Sequence, residues 1–248
     1  MALLEVEDVH VRFGGVVAVN GASLDVPESS VIGLMGPNGA GKTTLFNVIT
    51  GLQAPTSGAV RFDGRDITKL HPRLRALAGI GRTFQRLEVF GSLSVADNIR
   101  VAAEMRGAEH PARVRDELLE RVGLRAFADV TADSVPTGIA RLTELARALA
   151  CSPKLLLLDE PSSGLSESET DDFAVLVRSL AEDDGRSVLI VEHDVELVLG
   201  LCSTVHVLDF GSIIASGPPE VIRADPRVQD AYLGADTDAA EALEEVNA

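Results

Sequence analysis

The stretch GPNGAGKT, residues 36–43, has the residue types and spacing of a phosphate-binding loop. It follows an apolar strand pattern and opens a helical one, and in that setting glycines bring backbone N–H groups against phosphate oxygens. Lys42 is expected to reach the β- and γ-phosphates, Thr43 to ligate Mg²⁺ and Thr44 to reach the α-phosphate. The loop residues that we also expect to contact the nucleotide are Gly36, Asn38, Gly39 and Gly41. The sequence therefore predicts a nucleoside triphosphate site.

A second chemical feature is the pair of carboxylates that ends the apolar run LLLLDE. Parallel strands buried on both faces carry such runs, and their carboxyl ends face the ligand crevice of the sheet. Asp159 fits the carboxylate on the magnesium side of a phosphate-loop NTPase, and Glu160 is placed to orient and polarise the attacking water. Together with the phosphate loop, the pair predicts hydrolysis; a solvated strand end is the alternative.

The elements that must position these groups follow an α/β pattern. Strand patterns run through residues 3–13, 21–26, 30–36, 59–67 and 79–85, with a helix at 42–52, and strands alternate with helices again from residue 154 to a hairpin at 204–217. Between residues 93 and 150 the periodicity is helical. We therefore expect one domain, 1–234, whose α/β core (1–85 and 152–234) carries an inserted helical subdomain at about 86–151. An acidic tail, 235–248, is expected to be disordered.

Composition and charge exclude several classes of function. The formal net charge is −16, from 22 basic and 38 acidic residues, which is opposite to what phosphate backbones require, so we expect no nucleic-acid partner. Cys151 and Cys202 form no metal-binding pattern, which indicates reduced thiols. The N-terminus lacks the pattern of a signal peptide, and no apolar run approaches the roughly 18 residues of a membrane span. A membrane role is therefore expected to be peripheral.

From Leu3 to Gly234, these motifs in this order resemble the ATP-binding subunits of ABC transporters. The resemblance implies a P-loop NTPase fold of the ABC type, with ATP and Mg²⁺ as ligands. It matches Gln85, in RTFQ, to the loop that senses Mg²⁺ and touches the membrane subunit. It matches His193, in VEHD, to the switch histidine at the γ-phosphate, and Phe13 to the aromatic residue that stacks on adenine, although a lone Phe is more often a core residue.

The resemblance thus defines a full set of expected site residues. The segment SSGLS, 162–166, matches the family's loop after the catalytic carboxylate. The expected catalytic residues are Glu160, His193 and Gln85, and the expected metal-site residues are Thr43, Gln85 and Asp159.

Within this family, the chain is most similar to the ATPases of branched-chain (hydrophobic) amino acid importers. The stretches that carry this likeness are FGGVVAVNGASLDV, RTFQRLEVFGSLSVADN, VEHDVELVLGLC and DPRVQDAYLG. The likeness implies an ATPase that energises import of branched-chain amino acids or related amides, bound to permease subunits at the cytoplasmic face of the membrane. Lipopolysaccharide-exporting ATPases share the last stretch, so an exporter ATPase is one alternative. A regulatory module that binds nucleotide without hydrolysing it is another, and soluble ABC ATPases of DNA repair or translation fit the size and charge poorly.

The segment after Gln85, RLEVFGSLSVADNIR at 86–100, is expected to receive a short helix from the permease. Its apolar side chains lie where nucleotide state is transmitted in the family, and we expect them to be partly exposed in a groove: Leu87, Val89, Phe90 and Leu93. Ordinary packing within the subdomain is the alternative.

The residues VPTGI, 135–139, stand where the family carries its signature, LSGGQ or LSYGQ, ahead of the helical pattern at 141–149. Pro136 replaces the serine whose hydroxyl grips the γ-phosphate of ATP on the other subunit. Thr137 and Gly138 are the residues still expected to contact that nucleotide, Thr137 as a helix N-cap or through its hydroxyl. The alternative is that this loop only starts a helix.

In a head-to-tail dimer, this weakened signature would serve the partner's ATP, while the chain's own ATP would face the partner's signature. We therefore expect a second, different ATPase subunit, because a homodimer would place two weak signatures over two intact sites.

Overall fold

A computed structural model describes residues 2–233, so the predicted acidic tail, 235–248, lies outside the described residues. The strands are β1 (Ala2–Phe13), β2 (Val16–Pro27), β3 (Val31–Met35), β4 (Ser57–Phe62), β5 (Arg65–Asp66), β6 (Ile80–Arg82), β7 (Leu155–Asp159), β8 (Ser187–Val191), β9 (Thr204–Asp209) and β10 (Ser212–Gly217). The helices are α1 (Lys42–Thr50), α2 (Pro72–Ala78), α3 (Val95–Arg106), α4 (Pro111–Arg121), α5 (Thr137–Ala150), α6 (Glu167–Glu182), α7 (Val195–Leu201), α8 (Pro219–Arg223) and α9 (Pro226–Leu233).

The strands form two sheets. The smaller is antiparallel, with the order β2-β1-β4-β5, and the larger has the order β10-β9-β3-β8-β7-β6. In the larger sheet every pairing is parallel except that of β9 with β10. All five residues of β3, β7 and β8 are buried, because both faces of a parallel sheet are covered. The mixed α/β architecture predicted from the sequence is confirmed.

Two hydrophobic cores lie on opposite faces of the larger sheet. One packs α1 and the antiparallel sheet against it and includes Phe46 and Phe62. The other packs α3, α5, α6 and α7 against the opposite face and includes Phe173. The side chains of each central strand alternate between the two cores, so the strand ends are held rigidly from both sides.

Residues 95–150 contain α3, α4, α5 and one turn of 3₁₀ helix at Arg125–Phe127, and no strand of three or more residues. Each of the three α-helices buries an apolar face, and α3 contacts both α4 and α5. Treating this segment as a subdomain inserted into the core remains our interpretation.

Several local predictions differ from the structure, three of them next to the site or the signature segment. The strand predicted at 79–85 ends at Arg82, and the chain leaves the sheet at the next residues, which lead into the site. Helix α2 was not predicted; its N-cap is His71, whose ring accepts the amide N–H of Arg73, an unusual capping group. Helix α5 begins at Thr137, four residues before the periodic pattern at 141. The sequence pattern missed this first turn because its residues show no amphipathic spacing.

Within residues 2–233, the helices are all too short or too polar to cross a bilayer.

Candidate nucleotide-binding site

The phosphate loop joins the end of β3 to the start of α1, and its glycines are required by close packing. Gly36 has φ 149°, and a Cβ there would lie 2.0 Å from the carbonyl oxygen of Leu208. Gly41 has φ 109°, and a Cβ there would lie 2.4 Å from the carbonyl oxygen of Ala18. Only glycine fits these positions, because both the backbone angle and the space exclude a side chain. The loop is thus wedged between the ends of β2 and β9 in the wrapped form that presents N–H groups to an anion.

Lys42 is buried at the first position of α1. Its ammonium donates to the carbonyl oxygens of Gly36 and Pro37, which fixes the side chain along the inside of the loop. Burial lowers the pKa of Lys42, and the nearby negative charges of Glu160 and Asp159 act in the opposite direction. The cation is therefore held where a polyphosphate would neutralise it.

The other loop residues present a polar, accessible surface. Asn38 and Gly39 are exposed at the tip of the loop, Thr43 is exposed on the first turn of α1, and Thr44 is half-buried beside it. A helix N-terminus with free hydroxyls suits the binding of a phosphate and its metal ion.

Asp159 ends β7 and is fully buried. Its Oδ2 accepts a hydrogen bond of 2.9 Å from Nη2 of Arg82, whereas its Oδ1 has no hydrogen-bond partner in the described part of the chain. Burial raises the pKa of Asp159, and the contact with Arg82 opposes this rise. A buried carboxylate oxygen without a donor is the kind of group that a hard cation satisfies, so Asp159 fits a magnesium site. Among residues 2–233 no group of three His, Cys, Asp or Glu side chains could hold a metal, so a metal ion bound by Asp159 would need hydroxyl, amide or phosphate oxygens as its other ligands.

Glu160 brings the three predicted catalytic residues together. Nε2 of Gln85 donates to both of its carboxylate oxygens, at 3.1 and 3.0 Å, and Nε2 of His193 lies 2.7 Å from Oε1. The carboxylate is mostly shielded from solvent, and the imidazole is more exposed. A carboxylate held by an amide and an imidazole at the edge of a phosphate site is suited to accept a proton from water.

Phe13 lies at the end of β1, where the chain turns into β2, and half of its surface is exposed. The alternative that Phe13 is a core residue is therefore wrong. A ring exposed beside the hairpin is available to stack on a base, and this role remains a prediction.

The two predicted signature residues contact a different part of the chain. Thr137 is the first residue of α5 and is exposed, and Pro136 is the N-cap without a side-chain hydrogen bond, so the interpretation of Thr137 as an N-cap is wrong. A Cβ on Gly138 would lie 3.0 Å from Cδ2 of Leu165, and one on Gly164 would lie 2.9 Å from Cγ2 of Thr137. The start of α5 therefore packs on the 162–166 loop and not on the phosphate loop of its own chain.

Sequence reasoning missed Glu192, which is buried directly before His193. Its Oε1 accepts the backbone N–H of Ser162 at 2.7 Å, and its Oε2 accepts that of His193 at 3.2 Å. The carboxylate thus joins the histidine loop to the loop after Glu160. The available signal was an acidic residue directly after the apolar run SVLIV. The sequence did not indicate which groups it would bond to, because one of them, the N–H of Ser162, lies 30 positions away.

A second set of missed residues lies on one face of α5. Arg141 donates to the carbonyl oxygens of Phe84 and Gln85 at 2.8 and 2.6 Å, Glu144 accepts the N–H of Phe84 at 3.0 Å, and Arg147 donates to the carbonyl of Glu88. The spacing of three between these charged residues was visible, but it reads equally well as a solvated helix face. In the structure, this face fixes the backbone on both sides of Gln85.

Comparison with known proteins identifies the family. The model of the ABC transporter family matches residues 19–163, and that of the branched-chain amino acid ATP-binding cassette transporters matches residues 212–238. The high-affinity branched-chain amino acid transport ATP-binding protein BraF of Pseudomonas aeruginosa is 38% identical over 249 residues, covering 94% of this chain and 98% of BraF. The lipopolysaccharide export system ATP-binding protein LptB of Haemophilus influenzae is 35% identical over 237 residues, covering 94% and 98%.

A solved structure agrees with this assignment. The ADP conformation of MJ1267, an ATP-binding cassette of an ABC transporter, is similar with a TM-score of 0.84 and 31% identity, covering 94% of this chain and 99% of MJ1267. The phosphate loop, the strand-end carboxylates and the fold that holds them are those of a nucleotide-hydrolysing cassette. The chain belongs to the ABC transporter family and is one of its ATP-binding, ATP-hydrolysing subunits.

Proposed function

We propose that this chain energises a membrane importer for branched-chain amino acids or related amides, at the cytoplasmic face of the membrane and together with permease subunits. The observation that carries the energising role is the convergence of Gln85 and His193 on the carboxylate of Glu160. The importer assignment is supported by the name of BraF and by the branched-chain family model at residues 212–238.

In the proposed reaction, Glu160 accepts a proton from the water that attacks the γ-phosphate. Gln85 and His193 hold the carboxylate in place, and His193 faces the γ-phosphate. Lys42 and the loop N–H groups, including that of Gly39, bind the β- and γ-phosphates. Thr43, Asp159 and Gln85 would hold Mg²⁺, which would supply neutralisation of the phosphate charge when bound.

A groove of about 510 Å³ supports a permease contact. It lies between α2, the segment after β6, and α3 and α5, and apolar side chains line its walls and rim: Leu52, Leu77, Phe84, Phe90, Met105 and Ala148. Of the four apolar residues predicted to face a permease helix, all are at least partly exposed, but only Phe90 lines this groove. The groove borders the backbone of residues 84–88, which includes Gln85. A permease helix bound there would therefore act on the side-chain amide of Gln85.

The weakened signature favours a second, different ATPase subunit over a homodimer. In the described structure, the start of α5 retains Gly138 and its helix N-terminus but offers no serine hydroxyl. This chain's own phosphate loop, Asp159 and Glu160 retain every expected group. If the chain pairs with a subunit that has a complete signature, this chain's ATP lies between an intact phosphate loop of this chain and an intact signature of the partner.

The experiment is a deletion of the gene for this chain, complemented by the wild type, by Glu160→Gln or by Lys42→Ala. Uptake of labelled leucine, valine and a small aliphatic amide is measured in each strain. We expect uptake of at least one of these to be lost on deletion and restored only by the wild type. Unchanged uptake of all three would contradict the importer assignment.

The match to LptB supports one other candidate, an exporter ATPase of the lipopolysaccharide type. The same strains decide between the two, because loss of an exporter would leave uptake intact and change the lipopolysaccharide content of the outer membrane. A module that binds ATP without hydrolysing it predicts that Glu160→Gln complements as well as the wild type.

A further inference from the structure

The side chain of Arg82 is buried at the point where β6 ends, and its guanidinium bonds in three directions. Nη2 donates to Oδ2 of Asp159 at 2.9 Å, Nη1 donates to Oδ1 of Asn47 at 2.5 Å, and Nε donates to the carbonyl of Thr83 at 3.2 Å. Only 7% of the Arg82 side chain is exposed. A cation so far from water needs compensation by specific partners, and here every guanidinium nitrogen has one.

These contacts join two elements of the site. Asn47 lies on α1, the helix that starts at the phosphate loop, and Asp159 ends β7 on the metal side. The planar fork of an arginine spans both acceptors at once, which the point charge of a lysine does not do. Among residues 2–233, Arg82 is the one cationic side chain that forms a salt bridge with Asp159, since Lys42 donates instead to the loop carbonyls.

Two aromatic rings fix the plane of the fork. The guanidinium carbon lies 4.8 Å from the centre of the Phe84 ring and 5.6 Å from that of Phe46. Phe46 is fully buried, and Phe84 lines the groove described above. Stacking between a buried ring and a groove wall restricts the guanidinium to the orientation in which it reaches Asp159.

We propose that Arg82 is a positioning residue for the metal site: it bridges Asn47 and Asp159 so that one oxygen of Asp159 is fixed and the other is directed toward the cation. The inference rests on the proposed magnesium role of Asp159. In this role the two-armed guanidinium of Arg82, and not its positive charge alone, sets the orientation of the Asp159 carboxylate next to the metal. A purely structural role would not require that orientation. Outer partners that orient a metal ligand typically change metal affinity or activity by about 10–100-fold when they are lost.

The test measures binding of a fluorescent, non-hydrolysable ATP analogue while free Mg²⁺ is titrated, for the wild type, Arg82→Lys and Arg82→Met. We expect both variants to need about 10–100-fold more Mg²⁺ for half-maximal enhancement of binding. Binding without Mg²⁺, in EDTA, should match the wild type, which shows that the fold and the phosphate loop are intact. Asn47→Ala should shift the magnesium requirement in the same direction, because it frees one arm of the fork.

Arg121→Lys is the matched control. The guanidinium of Arg121 also spans two acceptors, since Nη1 donates to Oδ2 of Asp184 at 2.6 Å and Nη2 donates to the hydroxyl of Ser179 at 3.1 Å. Asp184 precedes β8, at the edge of the sheet opposite the phosphate loop, so the magnesium requirement of Arg121→Lys should equal that of the wild type. If Arg121→Lys shifts as far as Arg82→Lys, general loosening of the fold explains the effect and the inference is wrong.

A wild-type magnesium requirement in Arg82→Lys would show that charge alone suffices and would overturn the inference. So would a wild-type requirement in Arg82→Met. If Arg82→Met does not fold, Arg82→Lys and Asn47→Ala decide the question. If the wild type binds the analogue equally well with and without Mg²⁺, the proposed metal site and this inference both fail. If the wild type needs Mg²⁺ and the Arg82 variants need no more of it than the wild type, the inference alone fails.

Discussion

Glu160 has a backbone φ of 50°, in the left-handed region that non-glycine residues seldom occupy. Its N–H donates to the carbonyl of Val191 at 2.8 Å, and its side chain is held by Gln85 and His193. Such a conformation costs about 1–3 kcal/mol and persists where the surroundings fix it. Here the strained turn places the carboxylate of Glu160 within reach of Gln85 and His193, while the preceding residue, Asp159, remains fully buried.

Glu160→Gln should retain ATP binding and stop turnover, because the amide keeps the shape of the carboxylate and loses its basicity. General-base catalysis contributes typically 10²–10⁴-fold, so we expect a rate loss of that order in single-turnover hydrolysis. Glu167→Gln, an exposed carboxylate on the first turn of α6, is the control and should hydrolyse normally. Hydrolysis by Glu160→Gln at the wild-type rate would show that Glu160 is not the base.

At the scale of elements, the sequence predicted most of the strands that carry the site. Apolar runs such as LLLLD and SVLIV have the composition of doubly covered parallel strands, and the structure confirms them at β7 and β8. The hairpin of β9 and β10 was also predicted, because Asp209, Phe210 and Gly211 separate two strand patterns. The local sequence pattern was sufficient to predict a strand wherever an apolar run for the buried residues was followed by residues typical of a turn.

The contacts between elements were not predictable in the same way. Arg82, Glu144 and Glu192 are buried charged residues whose partners lie 30 to 77 positions away in the sequence. A single sequence gives no information on such pairs, and each residue alone is indistinguishable from a solvated charge. The phosphate loop could be predicted because all of its groups are contiguous, whereas the network that orients them could not.

Arg75 shows how such a buried charge stabilises an element. Its guanidinium donates to the carbonyls of Val48 and Ile49 at the end of α1, at 2.7 and 2.8 Å. It also donates to the carbonyls of Leu70 and Thr68, at 2.9 and 2.8 Å. Arg75 therefore anchors the helix of the phosphate loop to α2 and to the loop that precedes it.

Arg75→Met should lower the free energy of unfolding by roughly 2–4 kcal/mol, because several carbonyls lose a charged donor and only some regain water. Urea unfolding followed by circular dichroism measures the change. Arg73→Met is the matched control on the same helix, since Arg73 is exposed, and it should change stability by less than about 0.5 kcal/mol. Equal stability of the two variants would contradict the anchoring role.

The signature segment gives a prediction for the start of α5. The double variant Pro136→Ser with Thr137→Gly restores a hydroxyl at the N-cap and removes the methyl group that packs on Gly164. One charge-assisted hydrogen bond is worth roughly 1.5–3 kcal/mol, so a bond formed only in the closed dimer would raise the rate about ten- to a hundredfold. The steady-state ATPase rate of the chain alone measures this. Brisk turnover by the unmodified chain, unchanged in the double variant, would show that Thr137 and Gly138 already suffice.

At the scale of the whole molecule, the two functional surfaces are separate. The phosphate loop and Glu160 lie at the carboxyl ends of the central strands, while Thr137 and Gly138 lie at the start of a helix in the helical segment and contact the 162–166 loop. In the proposed head-to-tail dimer, each composite site would take one surface from each subunit. A weakness in the 135–139 segment of this chain would then affect only the ATP bound by its partner.

This separation predicts an asymmetric ATPase when the chain pairs with a different subunit that has a complete signature. The productive site is then the one built on this chain's phosphate loop, because the partner's signature closes over it. Mixing the two purified subunits should raise turnover well above the sum of the separate rates. Glu160→Gln in this chain should lower that turnover about ten- to a hundredfold, to the rate of the remaining site that faces the weak signature.

The matching Glu→Gln change in the partner subunit should cost at most about a tenth of the turnover, because the site built on the partner's phosphate loop faces the weak signature of this chain. The steady-state ATPase rates of the two mixed pairs, each with one inactivated subunit, measure the asymmetry. Equal losses in both pairs would show that the segment at 135–139 supports hydrolysis as well as a complete signature. A lack of any stimulation on mixing, with full turnover by this chain alone, would identify a homodimer and exclude the proposed pairing.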